Sequence, residues 1–302
     1  MDTKYLKTGA CSIVLGEFYY SKFVPIKKNK LVKITKKNKN HDESKYLNLI
    51  KEIKNNESYF AIPESEIYIL KPTENFYIFL KNLDLDSKIF YEDIEYSYVN
   101  NAGDMDLLDS IGLIIKKKSI WKSYKDIINL INKICHGLNY LHEKHICHLD
   151  IKPENIMVNT FKKDFKIIDF GFSSIEPFED FIKNTRGTPG YFPKYISSET
   201  PSKWLPKIEA NDMVCKNGII PIFNNRKLIY KIDSFCLGRV LYYLKYVYDE
   251  NKTYFWYNNE KKKESFITNI ISKLTMNNVY ERYTIKQCID VFQLNESILK
   301  FY

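Results

Sequence analysis

The 302-residue sequence is poor in arginine: only four of its 46 basic residues are arginine, and lysine supplies the rest. The formal net charge of +9 could indicate a nucleic-acid or membrane-surface partner. Planar, bidentate recognition of phosphates and bases, however, favours arginine over lysine. We therefore interpret the lysine-rich runs at 27–39, 116–118 and 261–263 as solvated faces, and we do not expect a nucleic-acid partner.

The sequence also lacks paired cysteines and long apolar runs. Its six cysteines contain no C-x-x-C pair, and no basic segment at the N-terminus leads into an apolar stretch. These features favour a reduced, intracellular compartment over a secreted, disulfide-bonded protein. Polar residues interrupt every hydrophobic stretch before the roughly 18 residues that a membrane span requires. We expect a cytoplasmic protein without a membrane span, and the hydrophobic fraction of 44% is sufficient for a large core.

Hydrophobic periodicity divides the chain near residue 100. Before about residue 99 the pattern alternates over short segments, which predicts strands, with one helical stretch at 42–54. The predicted strands in this part are 12–15, 30–34 and 66–70. After about residue 104 the three- and four-residue periodicity of helices predominates. The pattern therefore predicts a β-rich region followed by a larger helical region.

Two helices are clear in the second region. The first is predicted over 123–142, where apolar residues form one stripe, and Ser123 followed by Asp126 is typical of a capping box at its start. The second is predicted over 233–246. Because this segment is apolar on nearly every side, we expect it to be a buried central helix.

Two pairs of short β-like segments lie between the two predicted helices. Segments 156–158 and 165–168 bracket a polar turn, which predicts two strands joined by a short loop. The apolar segments 219–223 and 228–230 flank Asn224-Asn225, and we predict a hairpin there.

Residues 148–155 read His-Leu-Asp-Ile-Lys-Pro-Glu-Asn, and Asp169-Phe170-Gly171 follows fourteen positions after Asn155. Together they supply a carboxylate base, a cation and two oxygen ligands for a metal ion, which is the equipment of phosphoryl transfer. The first segment resembles the H-R-D-x-x-x-x-N catalytic loop of protein kinases, and the second matches their D-F-G motif. The chain thus resembles a eukaryotic-type serine/threonine protein kinase.

This resemblance implies a bilobal α+β fold, with a small β-rich N-lobe and a larger, mainly helical C-lobe. One protein kinase domain is then expected over 1–302. The N-lobe is expected at about 1–99, the hinge at about 96–103 and the C-lobe at about 104–302. The segment 197–231 is longer than kinases usually have at that point, and we interpret it as an insertion.

The resemblance also implies roles for the motif residues. Asp150 is expected to accept the proton of the acceptor hydroxyl, and Lys152 to lie against the transferred γ-phosphate of ATP. Asn155 and Asp169 are expected to bind Mg²⁺, with Mn²⁺ as an alternative ion. The segment Gly187-Thr188-Pro189-Gly190-Tyr191 resembles the peptide-binding loop of serine/threonine kinases, so Thr188 is expected to bond near Asp150 and Lys152.

ATP-binding residues are expected upstream. A nucleotide-covering hairpin is expected at 7–14, which resembles G-x-G-x-x-[GS]-x-V with its first glycine replaced. Its residues are Lys7, Thr8, Gly9, Ala10, Cys11, Ser12, Ile13 and Val14. Lys33 lies in a segment that resembles V-A-I-K and would hold the α- and β-phosphates. Its carboxylate partner is expected to be Glu43, with Glu52 as the alternative.

Three further residues are expected around the nucleoside. The segment 98–105 resembles the hinge, so backbone groups near Val99 would bind the adenine edge and Asp104 would bind the ribose. Met157 would form the floor beneath the adenine. His148 has a structural role in this family, in which it packs against the phenylalanine of D-F-G, here Phe170.

The chain departs from the family pattern at two positions. Leu149 stands where many kinases have the arginine that pairs with a phosphorylated activation loop, so we expect activity that does not depend on loop phosphorylation, although Ser173, Ser174 and Thr185 are available. Tyr191-Phe192 is followed by Pro193-Lys194-Tyr195, which lacks the glutamate of the A-P-E motif. Glu199 is the candidate replacement that would pair with Arg282.

We therefore predict an ATP-dependent serine/threonine kinase that acts on protein substrates. One alternative is a pseudokinase scaffold that binds nucleotide or partner proteins without turnover, and another is a small-molecule phosphotransferase of the same broad fold. Retention of the catalytic, phosphate-binding and metal-binding residues favours turnover, and the peptide loop favours a protein acceptor. The sequence is rich in lysine, asparagine, isoleucine, tyrosine and phenylalanine and poor in arginine and glycine, which resembles the codon bias of an A/T-rich genome. Such a genome could be that of a large DNA virus or of an A/T-rich protist. A viral protein would be expected in the host cytoplasm or virion. The sequence indicates no oligomeric state.

Overall fold

The computed structural model describes residues 6–8, 12–16, 21–27, 30–36, 58–61, 68–71, 73–82, 94–100, 102–178, 187–193, 226–251 and 258–295. The chain divides into two compact units, which are described separately. The small unit comprises Met1–Glu57 and Ala61–Ala102, and the large unit comprises Ser58–Phe60 and Gly103–Tyr302. The predicted helical stretch at 42–54, with Glu43 and Glu52, lies outside the described residues.

The small unit contains a five-stranded antiparallel sheet with the strand order β1-β2-β3-β5-β4. Its strands are β1 (Leu6–Thr8), β2 (Ser12–Leu15), β3 (Lys30–Lys36), β4 (Tyr68–Leu70) and β5 (Ile94–Asn100). A helix, α1 (Glu74–Asn82), adds Phe76 to the core of this unit. The predicted strands at 12–15, 30–34 and 66–70 are confirmed where they are described.

Side-chain alternation gives the sheet two different faces. Ile13 and Tyr96 lie opposite Ile34 on the neighbouring strands, and all three are buried in the core of the unit. Lys33, one residue earlier than Ile34, therefore belongs to the other face of the sheet. The aliphatic alternation of β2 and β3 is thus sufficient to determine which residues can meet a ligand on the second face.

The large unit is mainly helical. Its helices are α2 (Leu107–Ile115), α3 (Tyr124–Glu143), α4 (Tyr230–Asn251), α5 (Asn258–Leu274) and α6 (Ile285–Leu294). Helix α3 confirms the predicted helix, and the Asp126 carboxylate accepts the backbone N–H groups of Lys122 (2.8 Å) and Ser123 (3.1 Å) at its start. Helix α4 confirms the predicted buried helix, because it packs against α2, α3 and α5. None of the described helices is both long and apolar enough to cross a bilayer.

The predicted hairpin in the insertion is wrong for its second strand. Leu228 closes a short 3-10 turn at Arg226–Leu228, and Tyr230 is the first residue of α4. Ile229 and Ile232 are both fully buried, three residues apart, as on one face of a helix. A short apolar run cannot by itself distinguish a strand from the start of a buried helix. Residues 194–225 lie outside the described part of the chain.

Two small sheets carry the sequence motifs. One contains β6 (Met105–Asp106), β8 (Ile156–Asn159) and β9 (Asp164–Ile167), and the other pairs β7 (Ile146–Cys147) with β10 (Ser174–Ile175). The strands predicted at 156–158 and 165–168 are therefore confirmed to within one residue. A Cβ atom at Gly103 would lie 2.3 Å from the carbonyl oxygen of Val158, so only glycine allows the chain to approach β8 so closely.

Candidate active site

The segment between β7 and β8 holds a buried carboxylate, Asp150, which is only 6% exposed. The side-chain amide of Asn155 donates hydrogen bonds to the Asp150 backbone oxygen (2.8 Å) and to its Oδ2 atom (2.9 Å). Lys152 Nζ lies 2.9 Å from the same Oδ2 atom. These charge-assisted contacts fix the orientation of the carboxylate within its own loop.

Thr188 completes this cluster from a distant segment. Its hydroxyl donates to Asp150 Oδ1 at 2.5 Å and accepts a hydrogen bond from Lys152 Nζ at 2.9 Å. A Cβ atom at the preceding residue, Gly187, would lie 2.1 Å from the Phe192 ring, so the loop can adopt this path only with glycine there. The structure therefore places Thr188 beside Asp150 and Lys152, as the sequence predicts.

A second buried carboxylate, Asp233 in α4, holds the backbone of residues 148–155, the predicted catalytic segment. Its two oxygens accept the N–H groups of His148 (2.8 Å) and Leu149 (2.7 Å), and His142 Nε2 lies 2.9 Å from one of them. Burial alone would raise the pKa of Asp233, but its contacts with His142 and His148 hold that pKa below its ordinary value. Asp233 is fully buried and helps to position Asp150 through the adjacent backbone.

The role of Asp233 and His142 was missed by reasoning from sequence. Two signals were available. The segment 233–238 resembles the D-x-W-S-x-G segment of kinases, and its aspartate begins an otherwise apolar helix, where a fully buried carboxylate requires a partner. That partner is 91 residues earlier in the chain and carries no motif of its own.

His148 links the catalytic segment to the Asp169-Phe170-Gly171 segment. Its Nδ1 atom accepts the Asp150 N–H at 3.3 Å, and its Nε2 atom lies 3.1 Å from the Ile168 carbonyl oxygen. The proton is therefore assigned to Nε2, which leaves Nδ1 as the acceptor. The His148 ring also packs on Phe170, with ring centres 5.2 Å apart. These contacts fit a structural residue rather than a catalytic base.

Asn155 and Asp169 lie on neighbouring segments and offer oxygen ligands. The Ile168 N–H donates to the Asn155 carbonyl at 3.0 Å, which brings residue 169 next to this loop. Because the Asn155 amide nitrogen is bonded to Asp150, the amide oxygen remains as a ligand atom. Asp169 has a left-handed φ of 63°, a conformation that costs a non-glycine residue about 1 kcal/mol or more. An amide oxygen and a carboxylate fit Mg²⁺, which prefers hard oxygen donors.

In the small unit, Val14, Lys33 and Val99 share the sheet face that lies opposite the core. Lys33 is paired in register with Val14 and Ser97, and Leu31 is paired with Val99. By register, Lys33 therefore lies on this face beside the aliphatic residues Val14, Leu31 and Val99 and the polar residue Ser97. Lys7 and Thr8 lie in β1 and Ser12 begins β2, whereas Gly9, Ala10 and Cys11 lie outside the described residues.

Two residues expected around the nucleoside belong to the large unit. Met157 is a buried residue of β8. The Asp104 carboxylate accepts the backbone N–H of Thr160 at 2.7 Å and its hydroxyl at 2.6 Å. Asp104 thus stabilises the turn between β8 and β9, and its contact with a ribose stays a prediction.

Comparison with known proteins adds an independent finding. The profile of the protein kinase domain family matches residues 20–292. The chain is 33% identical over 123 residues to probable serine/threonine-protein kinase fhkB of Dictyostelium discoideum (39% of this chain, 11% of that protein). It is 27% identical over 176 residues to a probable myosin light chain kinase of the same organism (56% and 46%). It is 32% identical over 108 residues to serine/threonine-protein kinase 17A of Oryctolagus cuniculus (34% and 27%).

The chain spans less than half the length of each of these relatives, between 11% and 46%. The family match, in contrast, covers most of the chain and contains every motif residue from Lys33 to Thr188. With the geometry around Asp150, this match shows that the chain belongs to the protein kinase domain family, of the eukaryotic serine/threonine type.

Proposed function

We propose that the protein is an active, ATP- and Mg²⁺-dependent kinase that phosphorylates serine or threonine hydroxyls of protein substrates. The observation that carries this proposal is the cluster in which Asp150 is bonded to Lys152, Asn155 and Thr188. The cluster unites a proton acceptor, a cation and a metal-ligand residue, which are the groups that phosphoryl transfer requires.

In the proposed reaction, the acceptor hydroxyl oxygen bonds to the γ-phosphorus of ATP while the bond from that phosphorus to the β–γ bridging oxygen breaks. Asp150 receives the hydroxyl proton, and ADP leaves with the bridging oxygen. Lys152, whose ammonium group lies beside Asp150, neutralises charge on the transferred group. Mg²⁺ bound by Asn155 and Asp169 would neutralise charge on the phosphates, with Mn²⁺ as an alternative.

The small unit is proposed to bind the nucleotide. Support comes from the sheet face on which Lys33 lies beside Val14, Leu31 and Val99, because a cation suits the phosphates and apolar side chains suit the adenine. The hairpin at 7–14 would cover the phosphates. Glu43, or alternatively Glu52, would pair with Lys33. Val99, Asp104 and Met157 remain the proposed contacts to the nucleoside.

Retention of the cluster argues against the pseudokinase alternative, since both carboxylate oxygens of Asp150 are aligned by residues of the predicted motifs, Asn155, Lys152 and Thr188. Thr188 lies in the loop that resembles the peptide-binding loop of serine/threonine kinases, which supports a protein acceptor. We further propose one catalytic domain over 1–302 that acts in the cytoplasm.

The test is to incubate the protein with labelled ATP, Mg²⁺ and generic acceptor proteins, beside the variant Asp150→Asn. We expect a loss of about 10²–10⁴ in turnover for the variant, because it removes a general base. The control is Asp164→Asn, which alters a partly exposed ion pair with Lys133 and should retain turnover. Equal labelling by the wild type and Asp150→Asn would contradict the proposal, and phosphoamino-acid analysis would identify the acceptor class.

A further inference from the structure

Arg239 is one of only four arginines in the chain and is buried in α4, with 4% of its surface exposed. Its Nε atom donates a hydrogen bond to the Gly190 carbonyl oxygen at 3.0 Å. Its Nη1 atom is buried and has no hydrogen-bond partner in the described part of the chain. Burial also lowers the pKa of the guanidinium. The guanidinium also lies 5.8 Å from the Tyr242 ring centre, but its one hydrogen bond to the described residues is the bond to Gly190. Burying this cation is costly, and that directed bond offsets part of the cost.

That bond reaches the loop that carries Thr188. Gly190 has a φ of 87°, a left-handed conformation that favours glycine. The N–H groups of Tyr191 and Phe192 both donate to the Thr188 carbonyl, at 3.2 and 3.1 Å. Gly190 thus lies within one tight turn whose first residue bonds to Asp150 and Lys152. Only Pro189 separates Gly190 from Thr188, and the backbone here is constrained. A hydrogen bond at Gly190 therefore restricts the position of the Thr188 hydroxyl.

The second buried arginine, Arg282, provides a useful contrast. Its Nε and Nη1 atoms donate to the carbonyls of Met276 (3.0 Å) and Lys231 (3.1 Å), and its guanidinium lies 4.8 Å from the Phe235 ring centre. These contacts join the segment after α5 to the start of α4. Of these two arginines, Arg239 is the one that bonds to the turn beside Asp150.

We propose that Arg239 is a positioning residue for the acceptor substrate: from α4 it fixes the loop 187–193 through Gly190, and so holds Thr188 against Asp150 and Lys152. The proposal rests on the proposed kinase function. It predicts a specific pattern, in which the acceptor side of the reaction depends on Arg239 while nucleotide binding does not.

The test uses Arg239→Met, which keeps an apolar side chain of similar length and removes the donor. We expect the KM for the acceptor to rise and kcat to fall, together by about tenfold or more in kcat/KM, because a charge-assisted bond is lost and Thr188 shifts. The KM for ATP should stay within about twofold of wild type. The thermal midpoint should hold or rise, since replacing a buried charge by an apolar group is often neutral or stabilising.

Arg239→Lys should recover part of the loss, because it restores a cationic donor without the fixed fork of arginine. The matched control is Lys245→Met on the same helix, which removes ion pairs to Asp249 and Glu264 and has no contact with the loop. A lower kcat/KM for the acceptor with a thermal midpoint that holds or rises would support positioning. Wild-type acceptor kinetics, or a loss accompanied by a higher KM for ATP and a lower thermal midpoint, would overturn it.

A second measurement does not require turnover. Amide hydrogen exchange at Tyr191 and Phe192 should be faster in Arg239→Met than in wild type, with exchange in α3 unchanged. If wild type transfers no phosphate, the kinase proposal fails while this measurement still decides the structural role of Arg239. Should Arg239→Met not fold, Arg239→Gln, whose side chain is too short for the same bond, replaces it. Unchanged exchange at both amides in the folded variant overturns the proposal.

Discussion

In the large unit, Asp150 is held by side-chain hydrogen bonds from several segments, whereas in the small unit Lys33 is held by the backbone pairing of its strand. Asn155, Lys152 and Thr188 contact the Asp150 carboxylate directly. Strand β3, in contrast, pairs with both β2 and β5, and its register alone determines the face on which Lys33 lies. One site depends on specific partners and the other on regular alternation.

Because of this difference, we expect substitutions in the two units to affect stability and activity differently. A side-chain network is sensitive to each member, because losing one partner leaves another buried polar group unsatisfied. A residue on the ligand face of a sheet can change without disturbing the strand pairing. We therefore expect substitutions that break the anchor of the predicted catalytic segment to reduce stability and activity together, and a substitution of Lys33 to reduce activity far more than stability.

The largest effect should come from Asp233→Ala. This change leaves His142 and the backbone N–H groups of His148 and Leu149 without their acceptor in a fully buried environment. We expect the free energy of unfolding to fall by about 3–5 kcal/mol, as when one member of a buried pair is removed. Chemical denaturation followed by fluorescence would measure it.

The control for this experiment is Asp290→Ala in α6, where the carboxylate forms an exposed ion pair with Lys286 at 3.1 Å. That change should alter the free energy by no more than about 1 kcal/mol. If Asp233→Ala were as mild as its control, the catalytic segment would not depend on this anchor, and the comparison between the two units would lose its basis.

Lys33→Met should have the next largest effect, mainly on turnover. Loss of an ammonium group that is proposed to stabilise the phosphates is expected to lower kcat by about 10²–10³. The strand pairing of Lys33 with Val14 and Ser97 is made by the backbone, so the unfolding midpoint should change little. Lys30→Met, at the start of the same strand, is the matched control and should keep near wild-type turnover. A large fall in stability for Lys33→Met would show that its role is structural.

The same contrast explains which features the sequence could predict. Strand β3 and helix α3 follow local rules, alternation in one case and an apolar stripe with a cap at Asp126 in the other, so both were predicted correctly. The bond between Asp233 and Leu149 joins residues 84 positions apart, and no local pattern encodes it. The predicted strand at 228–230 failed because three apolar residues satisfy the requirements of a buried helix start equally well.

The residues proposed to be catalytic were identifiable for a different reason. The segment 148–155 and the triplet that begins at Asp169 each resemble a family motif, so the resemblance indicated roles for them before any contact was known. Arg239 carries no motif, and its bond to Gly190 depends on how α4 packs beneath the loop. Residues that act through tertiary packing therefore became visible only in the structure.

A smaller effect, on the free energy of unfolding, is expected at acid pH from the protonation of Asp233. Because the pKa of Asp233 is lowered in the folded protein from its ordinary value of 3.8, the carboxylate contributes stability that is present above about pH 4. This contribution is lost as the pH falls through the lower, folded-state pKa, where the unfolded protein has already bound the proton. In Asp233→Asn this part of the acid dependence should disappear. Unfolding free energies at pH values from about 2 to 6 would test it, and an unchanged acid slope in the variant would contradict it.

The smallest effect on turnover is expected when the protein is dephosphorylated. Leu149 supplies no cation to bind a phosphate; it is fully buried, and its backbone N–H is bonded to Asp233 at 2.7 Å. Ser173 and Ser174 are also buried, and the Ser173 hydroxyl lies 3.3 Å from the His148 carbonyl, so neither presents a free hydroxyl to a kinase. We expect phosphatase treatment to change turnover by less than about twofold, because the segment is fixed by Asp233 rather than by a phosphate contact. Thr185→Ala extends this test to a residue outside the described part of the chain. A severe loss of turnover after phosphatase treatment and in Thr185→Ala would contradict the prediction, because a phosphate would then order the site by pairing with a cation elsewhere in the chain.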